Sequence, residues 1–183
     1  MQSNFFQQYK NELRPKLQKD LGLKNVMQIP KIEKIIINAG IGSYLQRLNS
    51  KDTSLIEENL KLISGQKPLV KKAKLSVSNF KLRKGMPVGV FVTLRKQNAY
   101  NFLEKLIHVS IPRMRDFRGI KKNIFDKQGN CSIGINDYTV FPEVIPPENA
   151  QKIHGLQITI VFSSNEPSHS QKLLEYFGFP FKK

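Results

Sequence analysis

From Asn59 to Leu103 the chain runs for forty-five residues with ten Lys or Arg and no Asp or Glu. Charge of one sign at that density repels itself unless it is spread over a surface that meets a polyanion. The same stretch holds VGVFVTL (88–94), a strand-like run, so the charge belongs to a sheet and its loops and not to a disordered tail. It supplies +10 of the net +16. A folded surface with a concentrated positive field is expected, and nucleic acid is its first candidate partner.

At 183 residues, 39% apolar and 24% charged, the chain is long enough for one good core or two small ones, and a single domain over 1–183 is expected. The pI near 10.0 lies above the value of about 9 that marks nucleic-acid-binding domains. A membrane surface would attract the same charge. A free-standing basic regulator of RNA or of membranes is therefore the alternative reading. No apolar run approaches the roughly 20 residues that span a bilayer. The N-terminus MQSNFFQQYKNELRPKL has the pattern of neither a secretory signal nor a transit peptide. A soluble protein is expected.

Catalysis finds no support. Cys131 is the lone cysteine, so neither an intramolecular disulfide nor a cysteine-based zinc site can form. His108, His154 and His169 lie far apart, without metal-ligand spacing. Glu57 and Glu58 fall on a predicted helix, and Asp116, Asp126 and Asp137 sit in basic loops, where pairing with Arg or Lys is their expected role. No cofactor and no metal are expected. AGIGSYL has Gly40 and Gly42 after a strand but Leu45 where a dinucleotide-binding turn needs its third glycine. KGMPVGVFV places Met86 and Pro87 where the RNA recognition motif needs aromatic or glycine residues.

Hydrophobic spacing places the elements. Ser3 caps a helix carrying Phe6, Tyr9, Leu13, Leu17 and Leu21, interrupted at Pro15 and ended by Gly22. KIEKIIINAG reads as a strand buried on at least one face. Asn49–Asp52 cap a helix with Leu55, Leu60, Leu62 and Ile63, closed by Gly65. LVKK, SVSNFKLRK and VGVFVTLRK read as strands, the last two joined at Lys84–Pro87 into a long basic hairpin. A helix over Ala99–Val109 buries Phe102, Leu103, Leu106 and Ile107. RMRDFRGIKKNIFDKQGN is a basic loop, CSIGI and YTVFPEVIPP short strands, GLQITIVFSS a strand and Glu166–Phe177 the last helix. The fold class is α+β, a mostly antiparallel sheet with helices packed on one face and a basic hairpin loop projecting.

Several strings in order resemble the bacterial-type large-subunit ribosomal protein number five, the 5S-rRNA-binding family. They are VMQIPKIEKIIINAGIG (26–42), LISGQKPLVKKAKLSVSNFKLRKGMPVG (62–89), VTLR (92–95), IPRMRDFRG (111–119), FPE (141–143) and the terminal FGFPFKK. The family's N-terminal half falls at about 24–80 and its C-terminal half at about 84–180. The resemblance implies a ribosomal scaffold in the central protuberance, with 5S rRNA, large-subunit rRNA, P-site tRNA and the small-subunit protein number thirteen as partners. It implies neither a membrane partner nor a homo-oligomer. Its 5S contact set falls on Asn38, Gln66 and Thr93, with Lys67 and Arg95 beside them. Neutral donors and acceptors of this kind read 2′-hydroxyls and base edges while cations hold phosphates. The tRNA-facing loop falls on Lys74, Ser76, Asn79, Lys81, Arg83 and Lys84. The rRNA or intersubunit-bridge loop falls on Arg113, Arg115, Arg118, Lys121 and Lys122. Lys96 and Gln97 replace the family's usual Gly-Glu or Gly-Asp, and FDKQGNC its usual FDGRGNY. GMPVG and FGFPF resemble plastid members and the Lys-, Ile- and Asn-rich composition suggests an AT-rich genome, so the plastid stroma is the expected location and the bacterial cytoplasm the alternative.

Overall fold

The computed structural model describes residues 5–42, 44–45, 52–115, 117–145 and 153–182. Five strands form one antiparallel sheet in the order β2-β3-β1-β5-β4. They are β1 (Ile32–Gly40), β2 (Leu69–Lys72), β3 (Pro87–Arg95), β4 (Cys131–Ile135) and β5 (Leu156–Phe162). Chain contacts divide into two units. The first is Met1–Ile35, Leu94–Ile133 and Thr159–Lys183, and the second is Ile36–Thr93 and Gly134–Ile158.

In the first unit, α1 (Phe5–Gln8) passes through a π-turn (Tyr9–Leu13) into α2 (Arg14–Asp20). Pro15 lacks an N–H and its ring crowds the carbonyl four residues back. The helix accommodates it by widening, so that the Arg14 N–H donates to the Tyr9 carbonyl. The same device recurs before Pro112. There α4 (Gln97–Lys105) continues as a π-turn over Leu106–Ser110, and the Ile111 N–H donates to the Leu106 carbonyl. Prolines explain both widened turns.

Phe5, Tyr9, Leu13 and Leu17 form the buried row of the first helix. Phe5 heads it, where the sequence had pointed to Phe6, and stacks on Phe177 at 4.9 Å. The Tyr9 hydroxyl donates to the Pro30 carbonyl at 2.9 Å, and burial pushes its pKa up to about 12. Phe102, Leu103, Leu106 and Ile107 are buried as expected. α5 (Pro167–Tyr176) ends where Gly178 takes φ +77. Ser3 lies outside the described residues.

In the second unit, Ile37 and Ala39 of β1 and Val90 and Val92 of β3 alternate into the core. Each fully buried isoleucine or valine there stabilises the fold by about 1.5–3 kcal/mol. α3 (Ser54–Ser64) buries Ile56, Asn59, Leu60 and Ile63, while Leu55 and Leu62 face out. Ile56, Asn59, Leu60 and Ile63 keep the i, i+3, i+4, i+7 spacing of one helix face, and Leu55 and Leu62 do not. The N-cap is Thr53, whose side chain makes no capping bond, and Asp52, one residue before it, accepts from the Ser54 N–H with its Oδ1 at 3.0 Å. Asn49, Ser50 and Lys51 fall outside the described residues.

Two strand expectations are corrected. SVSNFKLRK does not pair with β3; LVKK does, with Leu69 opposite Phe91 and Lys71 opposite Gly89. The longer run folds on itself through the Val77–Leu82 bridge, turning at a 3-10 segment (Ser78–Phe80) and at Lys81 with φ +53. YTVFPEVIPP forms a 3-10 turn over Tyr138–Val140, since the Asp137 side chain accepts from the Thr139 N–H and caps a turn in place of a strand.

Candidate nucleic-acid interface

The second unit leaves one face of its sheet incompletely covered. Directly opposed residues of antiparallel strands share a face, so Leu69 and Phe91 stand together, as do Lys71 and Gly89. Thr93, two residues beyond Phe91, is on the same side. On β1 the residues that alternate with buried Ile37 and Ala39 are Ile36 and Asn38, both half-buried. A Cβ added to Gly89 would stand 3.6 Å from Asn38 Oδ1, which puts Asn38 on this face next to β3. Lys71 Nζ lies 5.0 Å from the centre of the Phe91 ring. Leu69 remains 64% exposed. The face thus carries an amide, a hydroxyl, an aromatic ring and an ammonium within two strand spacings.

Gln66 and Lys67 are exposed in the turn between α3 and β2. Gly65 makes that turn with φ +67, and the Gln66 N–H donates to Ser64 Oγ at 3.2 Å. Lys67 lies two residues before Leu69 and Thr93 two after Phe91, so the antiparallel register carries these two towards each other. Asn38, Gln66, Lys67 and Thr93 all belong to the second unit, and exposed Arg95 to the first.

Between β2 and β3 the chain forms an ordered arm. Gly85 N–H donates to the Ala73 carbonyl at 2.9 Å and Ala73 N–H to the Met86 carbonyl at 2.8 Å. Lys84 N–H donates to Ser76 Oγ at 2.9 Å. Lys74, Ser76, Asn79, Lys81, Arg83 and Lys84 are all exposed on it. Leu75, 76% exposed, and Phe80, 69% exposed, interleave with these cations. Cations alternating with exposed apolar groups suit a charged polymer with π-faces.

The third basic segment lies in the first unit. Arg113, Arg115, Arg118 and Lys121 are exposed, and the side chain of Lys122 and all of Asp116 lie outside the described residues. The segment is fastened by Ile120, whose N–H donates to the Pro180 carbonyl at 2.9 Å and whose carbonyl accepts from the Lys182 N–H at 2.8 Å. The neighbouring FDKQGNC turn closes on Asp126. Its carboxylate accepts from the N–H groups of Gln128 and Asn130 and from Asn130 Nδ2 at 2.7–3.0 Å, and these bonds hold it below the usual carboxylate range. Asp126 and Asp137 thus serve as acceptors for their own loops, where ion pairs had been expected.

Groups of other chemistry are engaged in structure. Cys131 is buried, and burial pushes its thiol up to about 12, far from a usable nucleophile. Ser164, His169 and Glu166 lie at hydrogen-bond distance from one another, but the Ser164 oxygen accepts from the Glu166 N–H and the three bind one another locally ahead of and within the first turn of α5. Among the described residues there is no cluster of three or more metal-binding side chains, and no helix is long and apolar enough to cross a membrane.

Comparison with known proteins decides the family. The model described as Ribosomal protein L5 matches residues 25–83, and the model for the C-terminus of the same ribosomal family matches residues 87–181. The chain belongs to the ribosomal protein L5 family. It is 48% identical to the large ribosomal subunit protein uL5 of Thermosipho africanus, over 97% of this chain and 96% of that protein. The uL5 protein of Desulfosudis oleivorans is 47% identical over 98% and 99% of the two chains, and that of Fusobacterium nucleatum 47% over 99% and 97%. This is a family of structural ribosomal proteins and not of enzymes. Leu69, Lys71 and Phe91 were not among the expected site residues, although the period-two alternation of the third strand already puts Phe91 on the side of Thr93.

Proposed function

We propose that the chain is a structural protein of the large ribosomal subunit. It binds 5S rRNA with the open sheet face of its second unit and helps attach it to large-subunit rRNA in the central protuberance. One observation carries this reading: Asn38 and Thr93 share a face of neighbouring strands with Phe91 and Lys71. The first two suit 2′-hydroxyls and base edges, and the last two suit stacking and phosphate. Gln66 and Lys67 extend the set; Arg95 belongs to the first unit and is a separate phosphate contact to the RNA, outside this face.

In the same reading, the arm with Lys74, Ser76, Asn79, Lys81, Arg83 and Lys84 faces P-site tRNA. The segment with Arg113, Arg115, Arg118, Lys121 and Lys122 faces large-subunit rRNA or the small-subunit protein number thirteen. The chain works as one ribosomal-protein domain, without a cofactor, a membrane or a second copy of itself. The strings GMPVG and FGFPF support a plastid source, although the relatives named above are bacterial; finding the gene in a plastid genome decides it.

Salt titration of 5S rRNA binding tests the central part. About six phosphate contacts give a log–log slope near −5, at roughly −0.9 to −0.7 per contact. A nearly flat slope would show that the basic surface faces elsewhere.

A further inference from the structure

Within the first unit lies a cleft of about 580 Å³, inside the range of about 300–1,000 Å³ that ligand sites occupy. Five cations line it, Lys10, Arg14, Lys31, Arg95 and Lys96, against the single carboxylate of Glu33. The rest of its wall is apolar. Met27, 81% exposed, and Val26, 45% exposed, stand at its edge on the 3-10 turn Val26–Gln28. Tyr9 and Tyr100, with ring centres 5.5 Å apart, form part of its floor. An anion with an apolar, flat portion complements this wall; a simple inorganic anion would leave Met27 and Val26 in water.

Lys96 supplies a second, independent observation. It is the single residue between the end of β3 at Arg95 and the start of α4 at Gln97, and it has φ +51 and ψ −133. Only glycine takes that conformation without strain. Its side chain caps nothing in the helix. The fold therefore tolerates backbone strain at a position whose side chain lines the cleft.

We propose that this cleft is an RNA subsite distinct from the open sheet face, and that it takes one unpaired nucleotide of ribosomal RNA. The phosphate sits among Lys31, Arg95 and Lys96, and the base packs on Met27 and the aromatic floor. Arg95, grouped with the 5S set by resemblance, acts here. The proposal rests on the chain being an rRNA-binding protein, as argued above, but not on the role of Asn38 and Thr93.

The test uses the full chain with two probes, 5S rRNA and refolded large-subunit rRNA, and the variants Lys96→Gly, Lys96→Ala, Met27→Ala and Asn38→Ala. Lys96→Gly and Met27→Ala should each weaken binding to at least one probe by about fivefold. Lys96→Gly should also make the salt slope shallower by about 0.7. Lys96→Gly should melt about 2–4 °C above Lys96→Ala, because both lose the cation and only glycine relieves the backbone. If both cleft variants bind both RNAs like the parent while Asn38→Ala loses 5S affinity, the cleft proposal is overturned and the proposed function stands. If the parent binds neither RNA, both fall. A photoreactive side chain at position 27 in assembled large subunits should crosslink to a nucleotide; a crosslink to an acidic protein segment instead would overturn the proposal.

Discussion

Gly89 lies against Asn38 on the open sheet face: a Cβ added to Gly89 would stand 3.6 Å from Asn38 Oδ1 and 3.4 Å from the Ala39 carbonyl oxygen. Alanine fits there in ordinary contact. Valine carries two further methyl groups, which must displace the Asn38 amide. Gly89→Ala should therefore bind 5S rRNA within about twofold of the parent, and Gly89→Val should weaken binding as Asn38→Ala does, by about 1–3 kcal/mol. Filter binding checks both. Parent-like affinity of Gly89→Val and Asn38→Ala would remove Asn38 from the interface.

The arm between β2 and β3 should be separable from 5S binding. Its tip carries Lys81 at φ +53, Arg83 and Lys84, all exposed. The combined variant Lys81→Gly, Arg83→Ala, Lys84→Ala retains the turn, because glycine accepts the Lys81 conformation. Its affinity for isolated 5S rRNA should match the parent's within about twofold, while affinity for tRNA in assembled ribosomes falls. Loss of 5S affinity in this variant would merge the two surfaces.

His154 makes the second unit acid-sensitive. Its ring is buried, stacked on Tyr138 at 4.3 Å and met edge-on by Tyr44 at 5.9 Å, and its Nε2 has no hydrogen-bond partner. Burial lowers its pKa from the usual 6.5, only partly offset by the Gly155 carbonyl and Asp137. The unfolded chain therefore binds a proton that the folded one refuses. Stability from this group is present above about pH 6.5 and falls as the pH drops below it. Urea unfolding between pH 5 and 7 should show this loss, and His154→Phe should flatten it. An identical pH dependence in that variant would exclude His154 as the cause.

Gly119 fixes the basic loop to the C-terminal segment. It has φ +90, and a Cβ there would lie 3.0 Å from the Lys182 backbone. Gly119→Ala combines strain with a clash against main chain, and should cost about 1–3 kcal/mol. Amide exchange should report the opening, with faster exchange at Ile120, whose N–H donates to the Pro180 carbonyl, and at Lys182, whose N–H donates to the Ile120 carbonyl. Unchanged exchange at both amides would show that the contact is dispensable.

The sheet and helices were legible where side-chain periodicity was decided by burial alone. Ile37 and Ala39 alternate into one core because a pleated strand has period two, and Leu103 and Leu106 follow a helical face. The basic arm was misread because local hydrogen bonds outcompeted pairing. Ser76 Oγ and the Val77–Leu82 bridge fold SVSNFKLRK on itself, and no hydrophobic pattern encodes that. YTVFPEVIPP failed for the same reason, with Asp137 capping a turn. Asn38, Gln66 and Thr93 carry no signal of their own as a set, since the three lie far apart in sequence; only the family resemblance grouped them. Lys96 was visible as a departure from the family's glycine, but its strained backbone was not.

The central claim is that the open face of the second unit meets 5S rRNA. Phe91 stands on that face, opposite Leu69 and beneath Lys71, so a photoreactive phenylalanine analogue at position 91 reports directly on what covers it. In assembled large subunits the account predicts a crosslink from position 91 to 5S rRNA. A crosslink only to large-subunit rRNA or to another protein would contradict it.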